Sequence, residues 1–362
     1  MHVSELSLKN FRNYTEQTIK LSPGTNLIFG QNAQGKTNIL EAVYMFSQGK
    51  SHRAKSDREM IRFGNEFARA AIEFETAERE YRSVMTFAKN GKKTIKINNV
   101  PIKKLSMLMN YLNTVMFSPE DLSLVKGSPS VRRRFMDLAV SQLSPKYLIS
   151  LIDYGKALNQ KNSLLKELRR SGKTKDVMLS VWNEQLSIEG AKIMKYRLDF
   201  LGLLGKFASQ IQKEISGESL EIEYAPGIKL KEISAEEYYE MLEKSQRREI
   251  ELQTAIHGIQ RDDINLRING SDSKLYASQG QQRTAALTLK IALSDYIHSI
   301  KDEYPVLLLD DIMSELDKSR RLYLAEKIKD KQVLITSTDT DILKSTDGTK
   351  LFYVEAGSVK EV

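Results

Sequence analysis

Cysteine is absent from the 362 residues. Disulfides, thiolate zinc sites and cysteine nucleophiles are therefore excluded. Histidine is scarce. The four residues, His2, His52, His257 and His298, include no two at a metal-ligand spacing, so a histidine metal centre is not expected. Long apolar runs are missing too. No stretch reaches the ~18 apolar residues of a membrane span, and Met1–Asn10 lacks the apolar core of a secretory signal. A soluble, cytoplasmic protein with no membrane segment is expected. Proline is limited to 7 residues, and no long low-hydrophobicity tail stands out.

Positive charge is what the chain has in excess. Lys and Arg number 55 against 47 Asp and Glu, a net charge of +8. A basic balance leans toward a polyanionic partner such as DNA. Three basic groupings are candidates for phosphate contacts: Lys50, Arg53, Lys55 and Arg58; Lys103 and Lys104; and Arg132, Arg133 and Arg134. A charge run is equally the mark of a solvated face, so the groupings alone decide nothing.

Periodicity divides the chain into three regions. In residues 1–125, Val3–Leu8, Thr25–Phe29, Ala70–Glu75, Arg82–Phe87 and Thr94–Ile97 read as strands and Asn38–Phe46 as a helix. Asn90-Gly91 marks a hairpin turn between the last two strands. From 126 to 253 the apolar spacing is helical. Tyr147–Leu168 and Gln185–Ile215 predict two long helices joined by a turn at Ser171–Thr174. They form either a short antiparallel arm or part of a globular bundle. From 254 to 362 strands alternate with helices: Tyr304–Leu309 and Gln332–Thr336 beside Thr284–Ile300 and Lys318–Lys327. That alternation predicts a parallel sheet. The expected architecture is one α/β domain built from 1–125 and 254–362, with 126–253 inserted as a helical domain.

Three motifs carry chemistry. Gly30-Gln31-Asn32-Ala33-Gln34-Gly35-Lys36-Thr37 fits the phosphate-loop pattern G-x-x-x-x-G-K-[ST] between an apolar strand and a helix. Its glycines allow close approach of backbone to phosphate, and the helix N-terminus faces the anion. Lys36 is placed to neutralise the outer phosphates of ATP and Thr37 to ligate Mg²⁺. Pro305–Leu309 ends in Asp310-Asp311, at the strand end where a parallel sheet presents its ligand contacts. Asp310 is the candidate for holding Mg²⁺ and Asp311 for polarising the attacking water. Finally, Ala277-Ser278-Gln279-Gly280-Gln281-Gln282 precedes a helix and resembles the S-x-G-Q signature of ABC ATPases. Ser314-Glu315-Leu316-Asp317 stands where those proteins carry their D-loop.

With these residues assembled, the chain closely resembles the RecF family of bacterial recombination mediators, relatives of the structural-maintenance-of-chromosomes ATPases. The likeness runs through Leu8–Tyr14, Ser51–Arg53, Asp57–Ile61, Met116–Leu122, Val125–Pro129, Arg132–Asp137, Tyr276–Ala285 and Leu307–Asp317. It implies an ABC-type ATPase head. Ser278, Gly280 and Gln281 of one copy would meet the γ-phosphate held by another, so that ATP joins a homodimer. It further implies weak, DNA-stimulated hydrolysis, binding to duplex DNA and gap junctions, and work with RecO and RecR to load RecA. Arg12 and Asn13 are expected near the nucleotide by the same analogy.

Departures from the pattern are local. The family's Gly-Pro-His before Arg-Asp-Asp is here Gly258-Ile259-Gln260, ahead of Arg261-Asp262-Asp263. The residue after the metal Asp is Asp311 rather than Glu, and Thr336-Ser337-Thr338-Asp339 stands where a switch histidine is usual. Slow hydrolysis would fit both of the latter. A transporter ATPase would carry that histidine and a Gln-containing loop. A chromosome-organising ATPase would carry far longer coiled-coil arms.

Overall fold

The structure is a computed structural model in which residues 1–338 and 348–362 are described. Asp339, noted above, lies outside the described residues. Backbone contacts divide the chain into two compact units. The first comprises Met1–Leu122, Ile211–Gly217 and Arg283–Val362; the second comprises Ser123–Gln210 and Glu218–Gln282.

The first unit is an α/β domain with two six-stranded sheets among the described residues. One is antiparallel, in the order Tyr14–Lys20, His2–Phe11, Phe67–Glu75, Glu80–Ala88, Thr94–Ile97, Val100–Pro101. The alternation in its first strand is loose because a register shift falls between Val3 and Glu5, which turns both Val3 and Leu6 inward. The other sheet runs Ser358–Glu361, Lys350–Glu355, Thr25–Phe29, Val333–Ser337, Val306–Asp310, Thr114–Phe117. Apart from the first pair, its neighbours are parallel. Strands covered on both faces read as continuous apolar runs, which is why Val306–Leu309 and Val333–Ile335 lack alternation.

Helix Lys36–Gln48 lies between these sheets. Its Ile39, Leu40, Ala42, Val43 and Phe46 join Leu6, Leu8 and Ile72 of the antiparallel sheet and Ile28, Leu308 and Leu334 of the parallel one in a single buried cluster. The Asn90-Gly91 pair sits in the longer connection between Thr86 and Thr94. The tight two-residue turn is the next one, Asn98-Asn99, with φ of 47° and 66°. Paired positive φ values are what such hairpins require, and Asn tolerates them.

The second unit holds helices Pro129–Leu143, Pro145–Ser171 and Ala235–Leu252 and most of Val177–Ser216. It is not purely helical. Strand Leu220–Ala225 pairs antiparallel with Asp263–Ile268 in a three-stranded sheet. That pairing draws residues 254–282 into this unit, whereas the sequence pattern assigns everything after 253 to the head. The two long helices are also not alone. Leu165 and Leu168 of the first, Leu179 of the second and Ile250 of Ala235–Leu252 close one cluster, so three helices meet there.

Beside that cluster, Lys161 and Glu249 form an ion pair at 2.6 Å with both side chains fully buried. Burial lowers the Lys161 pKa, and Glu249 opposes that shift. Removing one partner strands a charge in an apolar interior. Lys161→Met or Glu249→Gln is expected to cost about 3–5 kcal/mol, and the double replacement Lys161→Met/Glu249→Leu much less. Urea unfolding of the three variants checks this; single replacements costing under about 1 kcal/mol would show that the pair does not hold the helices.

Candidate nucleotide-binding site

The phosphate loop is built by two close approaches. Gly30 has φ 147°, and a Cβ there would stand 2.3 Å from the Val354 carbonyl oxygen. Gly35 has φ 118°, and its Cβ would meet the Asn13 amide at 2.4 Å and the Tyr14 hydroxyl at 2.9 Å. Only glycine fits either position. The loop is tied from outside. Asn13 Nδ2 donates to the Gln34 carbonyl (2.7 Å), Tyr14 Oη to the Gly35 carbonyl (3.0 Å), and the Ala356 amide to Gln34 Oε1 (2.6 Å). Lys36 Nζ folds back onto the carbonyls of Gly30 (2.6 Å) and Gln31 (2.8 Å), which holds the ammonium within the loop. Burial lowers its pKa, and the charges of Asp311 and Asp310 offset part of that. The following helix has no side-chain cap and no acidic residue in its first turn, so no side chain of its own competes with an anion at its N-terminus, although the Asn38 amide already donates to the Gly35 carbonyl.

The acidic strand end closes the site. Asp310 Oδ1 accepts from Thr37 Oγ1 at 2.8 Å and from Thr336 Oγ1 at 2.7 Å. Thr37 belongs to the loop helix and Thr336 to the strand in register with Asp310. Oxygen ligands from one hydroxyl and one carboxylate suit Mg²⁺, which normally completes its shell with water and substrate phosphate. Asp311 turns the chain with φ 51° into helix Ile312–Glu315. Its amide donates to Thr336 Oγ1 (2.9 Å), and its carbonyl and carboxylate accept from Ser314 Oγ (2.7 and 3.2 Å). Thr336 thus holds both aspartates at once.

Beside the loop lies an open cleft of about 500 Å³ lined by Arg12, Asn13, Asn38, Arg53, Glu59 and Ile61. Glu41, fully buried on the loop helix, accepts two bonds from Arg12 (2.9 and 2.7 Å), one from Arg53 (2.9 Å) and one from Ser51 Oγ (2.5 Å). Burial alone would raise its pKa. Hydrogen bonds from Arg12 and Ser51, with the charges of Arg53 and Arg12, outweigh that and hold the carboxyl below its ordinary 4.5.

In the second unit, Ser278 and Gln281 cap the start of helix Gln279–Lys301 reciprocally. The Gln281 amide donates to Ser278 Oγ (3.2 Å), and the Ser278 amide to Gln281 Oε1 (2.8 Å). A serine hydroxyl that accepts from its own helix still has its proton to donate outward. Gln281 is further fixed through Nε2 to Glu218 (2.6 Å). Gly280 stands in the first turn.

Comparison with known proteins places the chain as a whole. Residues 2–360 match the family model described as the RecF/RecN/SMC N terminal domain. Curated proteins named DNA replication and repair protein RecF, from Bacillus cereus (strain G9842) and Bacillus thuringiensis (strain Al Hakam), are each 41% identical over 99% of this chain and 98% of theirs. The chain belongs to the RecF family. It shares that family's membership of the ATP-binding ATPases. A solved structure of the recombination mediator protein RecF with ATPrS, in the RecFOR pathway, covers 100% of this chain and 98% of that one at 36% identity, with a TM-score of 0.94. A solved Smc head bound to the C-terminal winged helix of ScpA shares the fold at 17% identity and a TM-score of 0.59, covering 100% of this chain and 97% of that one.

Several RecF-type segments have local roles that the sequence does not declare. Arg53, grouped by sequence with Lys50, Lys55 and Arg58, instead lines the cleft with Arg12. Arg132 is buried and spends its guanidinium on Asp263 (2.6 and 2.8 Å), while Arg133 donates to the Asp262 carbonyl (2.7 Å). Neither is a free surface cation, and only Arg134 of that run is exposed. Asp262 is itself buried and accepts from Arg197 (2.5 Å), the Gly227 amide (2.7 Å) and the Tyr224 hydroxyl. Gln260 Oε1 accepts from the Tyr154 hydroxyl at 2.6 Å.

Thr336 was marked by sequence only as standing in place of a histidine. Its register with Asp310 brings its hydroxyl to both aspartates. Thr336→Val removes the shared hydroxyl, and hydrolysis is expected to fall roughly 10–100-fold with ATP affinity nearly unchanged, as for other residues that orient a metal ligand. Single-turnover rates beside equilibrium titration check this; wild-type turnover would sink it.

Proposed function

We propose that the chain is a RecF-type DNA repair mediator that binds ATP with Mg²⁺, pairs with a second copy through that ATP and hydrolyses it slowly. The observation that carries the reading is the join between the two halves of the site: the phosphate loop, through Thr37, and the acidic strand end, through Asp310, share one hydrogen bond. Lys36 would exchange its two carbonyl acceptors for phosphate oxygens. The metal, held by Thr37 and Asp310, would neutralise charge on the transferred phosphoryl group. Asp311 would orient the attacking water. Its side chain is one methylene shorter than the glutamate usual at this position, which favours a low rate.

Ser278, Gly280 and Gln281 of a second copy would complete the site. The outward hydroxyl proton of Ser278 and the helix N-terminus behind it suit a γ-phosphate. ATP would then shift a monomer–dimer equilibrium by its extra affinity for the dimer, and loss of the γ-phosphate would release it. The net positive charge supports binding to duplex DNA and gap junctions. By family resemblance, RecO and RecR would be partners in loading RecA.

Sedimentation with ATP, with and without duplex DNA, tests the pairing. The wild type is expected to dimerise with ATP and Ser278→Arg to remain monomeric while still binding ATP. A Ser278→Arg variant that dimerises normally would remove the signature from the interface. Asp311→Asn is expected to slow single-turnover hydrolysis by roughly 100-fold or more, in the range for loss of a group that acts on the reacting water. Equal rates would remove Asp311 from the chemistry.

A further inference from the structure

We propose that Glu41 is a positioning residue of the nucleotide cleft: its buried carboxylate holds Arg12 and Arg53 as a pair whose remaining N–H groups are presented to triphosphate oxygens. The proposal rests on the reading of this cleft as the ATP site. Its geometry is independent of that reading.

Arg12 and Arg53 come from separate segments. Arg12 sits in the two-residue turn between the first two strands with φ 54°, a left-handed conformation that Arg rarely adopts. Arg53 follows the loop helix on the segment that begins with the buried Ser51. Glu41, on the helix itself, is the group that binds both. Arg12 uses Nε and Nη2 on the carboxylate. Arg53 uses Nη2 on Glu41 and on Asn38 Oδ1 (2.8 Å). Each guanidinium has five N–H donors. Two are spent in each case, so three remain on each arginine with no acceptor among the described residues.

One buried carboxylate faces two guanidiniums in the wall of an open cleft. The other acid lining the cleft, Glu59, balances the second guanidinium in net charge, but its Oε1 accepts from the backbone amides of Lys55 and Ser56 (2.9 Å each) and takes none of the arginine N–H groups. Arg12 and Arg53 keep 21% and 36% of their side-chain surface, while Glu41 keeps none. The carboxylate therefore cannot touch a ligand and acts only through the arginines. Ser51 Oγ, donating to Glu41 and accepting from the Arg53 and Ala54 amides (3.0 and 2.9 Å), ties the segment that carries Arg53 to the same point.

The sign of the effect separates positioning from simple charge. Glu41→Gln removes a negative charge beside a polyanionic ligand. If charge alone mattered, ATP would bind more tightly. If Glu41 positions the arginines, ATP–Mg²⁺ should bind at least ~10-fold more weakly by equilibrium titration. Unchanged or tighter binding by folded Glu41→Gln protein would overturn the proposal. In an Arg12→Met/Arg53→Met background, adding Glu41→Gln should change affinity less than twofold; a further tenfold loss would mean that Glu41 acts by another route. Should Glu41→Gln fail to fold, Arg12→Lys reads the same pairing without touching the carboxylate, because lysine keeps the charge but not the two-point contact. A tenfold loss is expected there, and wild-type affinity would overturn the idea. Lys36→Met serves as the control on the site itself. If it binds ATP as the wild type does, the ATP reading fails rather than the role of Glu41.

Discussion

A helix buried on every side fixes where its N-terminus points. Lys36–Gln48 is enclosed by two sheets, and its apolar residues belong to a cluster drawn from both. An ordinary surface helix is free to shift along its polar face; this one is not. The strand Thr25–Phe29 enters the loop from the parallel sheet, and the helix leaves it into the core. Gly30 and Gly35 are pinned against Val354, Asn13 and Tyr14. The amides that would meet phosphate are therefore in place before any ligand arrives, and such preorganisation is what makes fixed dipoles effective in catalysis.

The same burial places chemistry at the far ends of the chain together. Residues 10–14, 30–37, 51–61, 310–311, 336 and 354–357 all converge on this one helix terminus. Some arrive by short-range bonds, such as Ser51 to Glu41, and others by strand pairing or by hydrogen bonds that span much of the sequence. Thr37 and Asp310 are 273 positions apart and share a bond, and Ala356 is 322 positions from the Gln34 it binds. The site thus depends on completion of the whole first unit. A lesion in either sheet would be expected to reach the loop by displacing the helix between them.

What could be read from the sequence was whatever is local and contiguous. The phosphate loop, the acidic strand end and the signature each occupy fewer than ten neighbouring residues, and their backbone requirements show in the residue types. Strand Thr25–Phe29 and helix Lys318–Lys327 have the bounds that periodicity predicts. The misplacements share one physical cause: they turn on long-range pairing that no window of sequence contains. Arg53 stands beside Lys55 and Arg58 in sequence, yet only the fold brings it to Glu41. Arg132 looks like its neighbour Arg134 until Asp263 is placed opposite. Residues 254–282 join the second unit because Asp263–Ile268 pairs with Leu220–Ala225.

Gln260 shows how a polar side chain is built into such a segment. Its Oε1 accepts from Tyr154, whose hydroxyl also contacts that of Tyr238 at 3.1 Å, while its Nε2 donates to the His257 carbonyl at 2.7 Å. An amide side chain offers one acceptor and two donors in a fixed plane. Gln260 uses the acceptor and one of the donors here. Gly258 has φ 125°, and a Cβ there would meet the Tyr154 and Tyr238 hydroxyls at 2.2 and 2.7 Å, so no other residue fits without a shift. Below it, Asp262 and Arg197 bury their charges against each other, so this part of the second unit is held by polar satisfaction rather than by apolar area. That is a demanding way to build an interior, since every partner must be present at once. It accounts for two charged pairs, Arg132-Arg133 and Asp262-Asp263, which look like surface in the sequence and are largely scaffold in the fold.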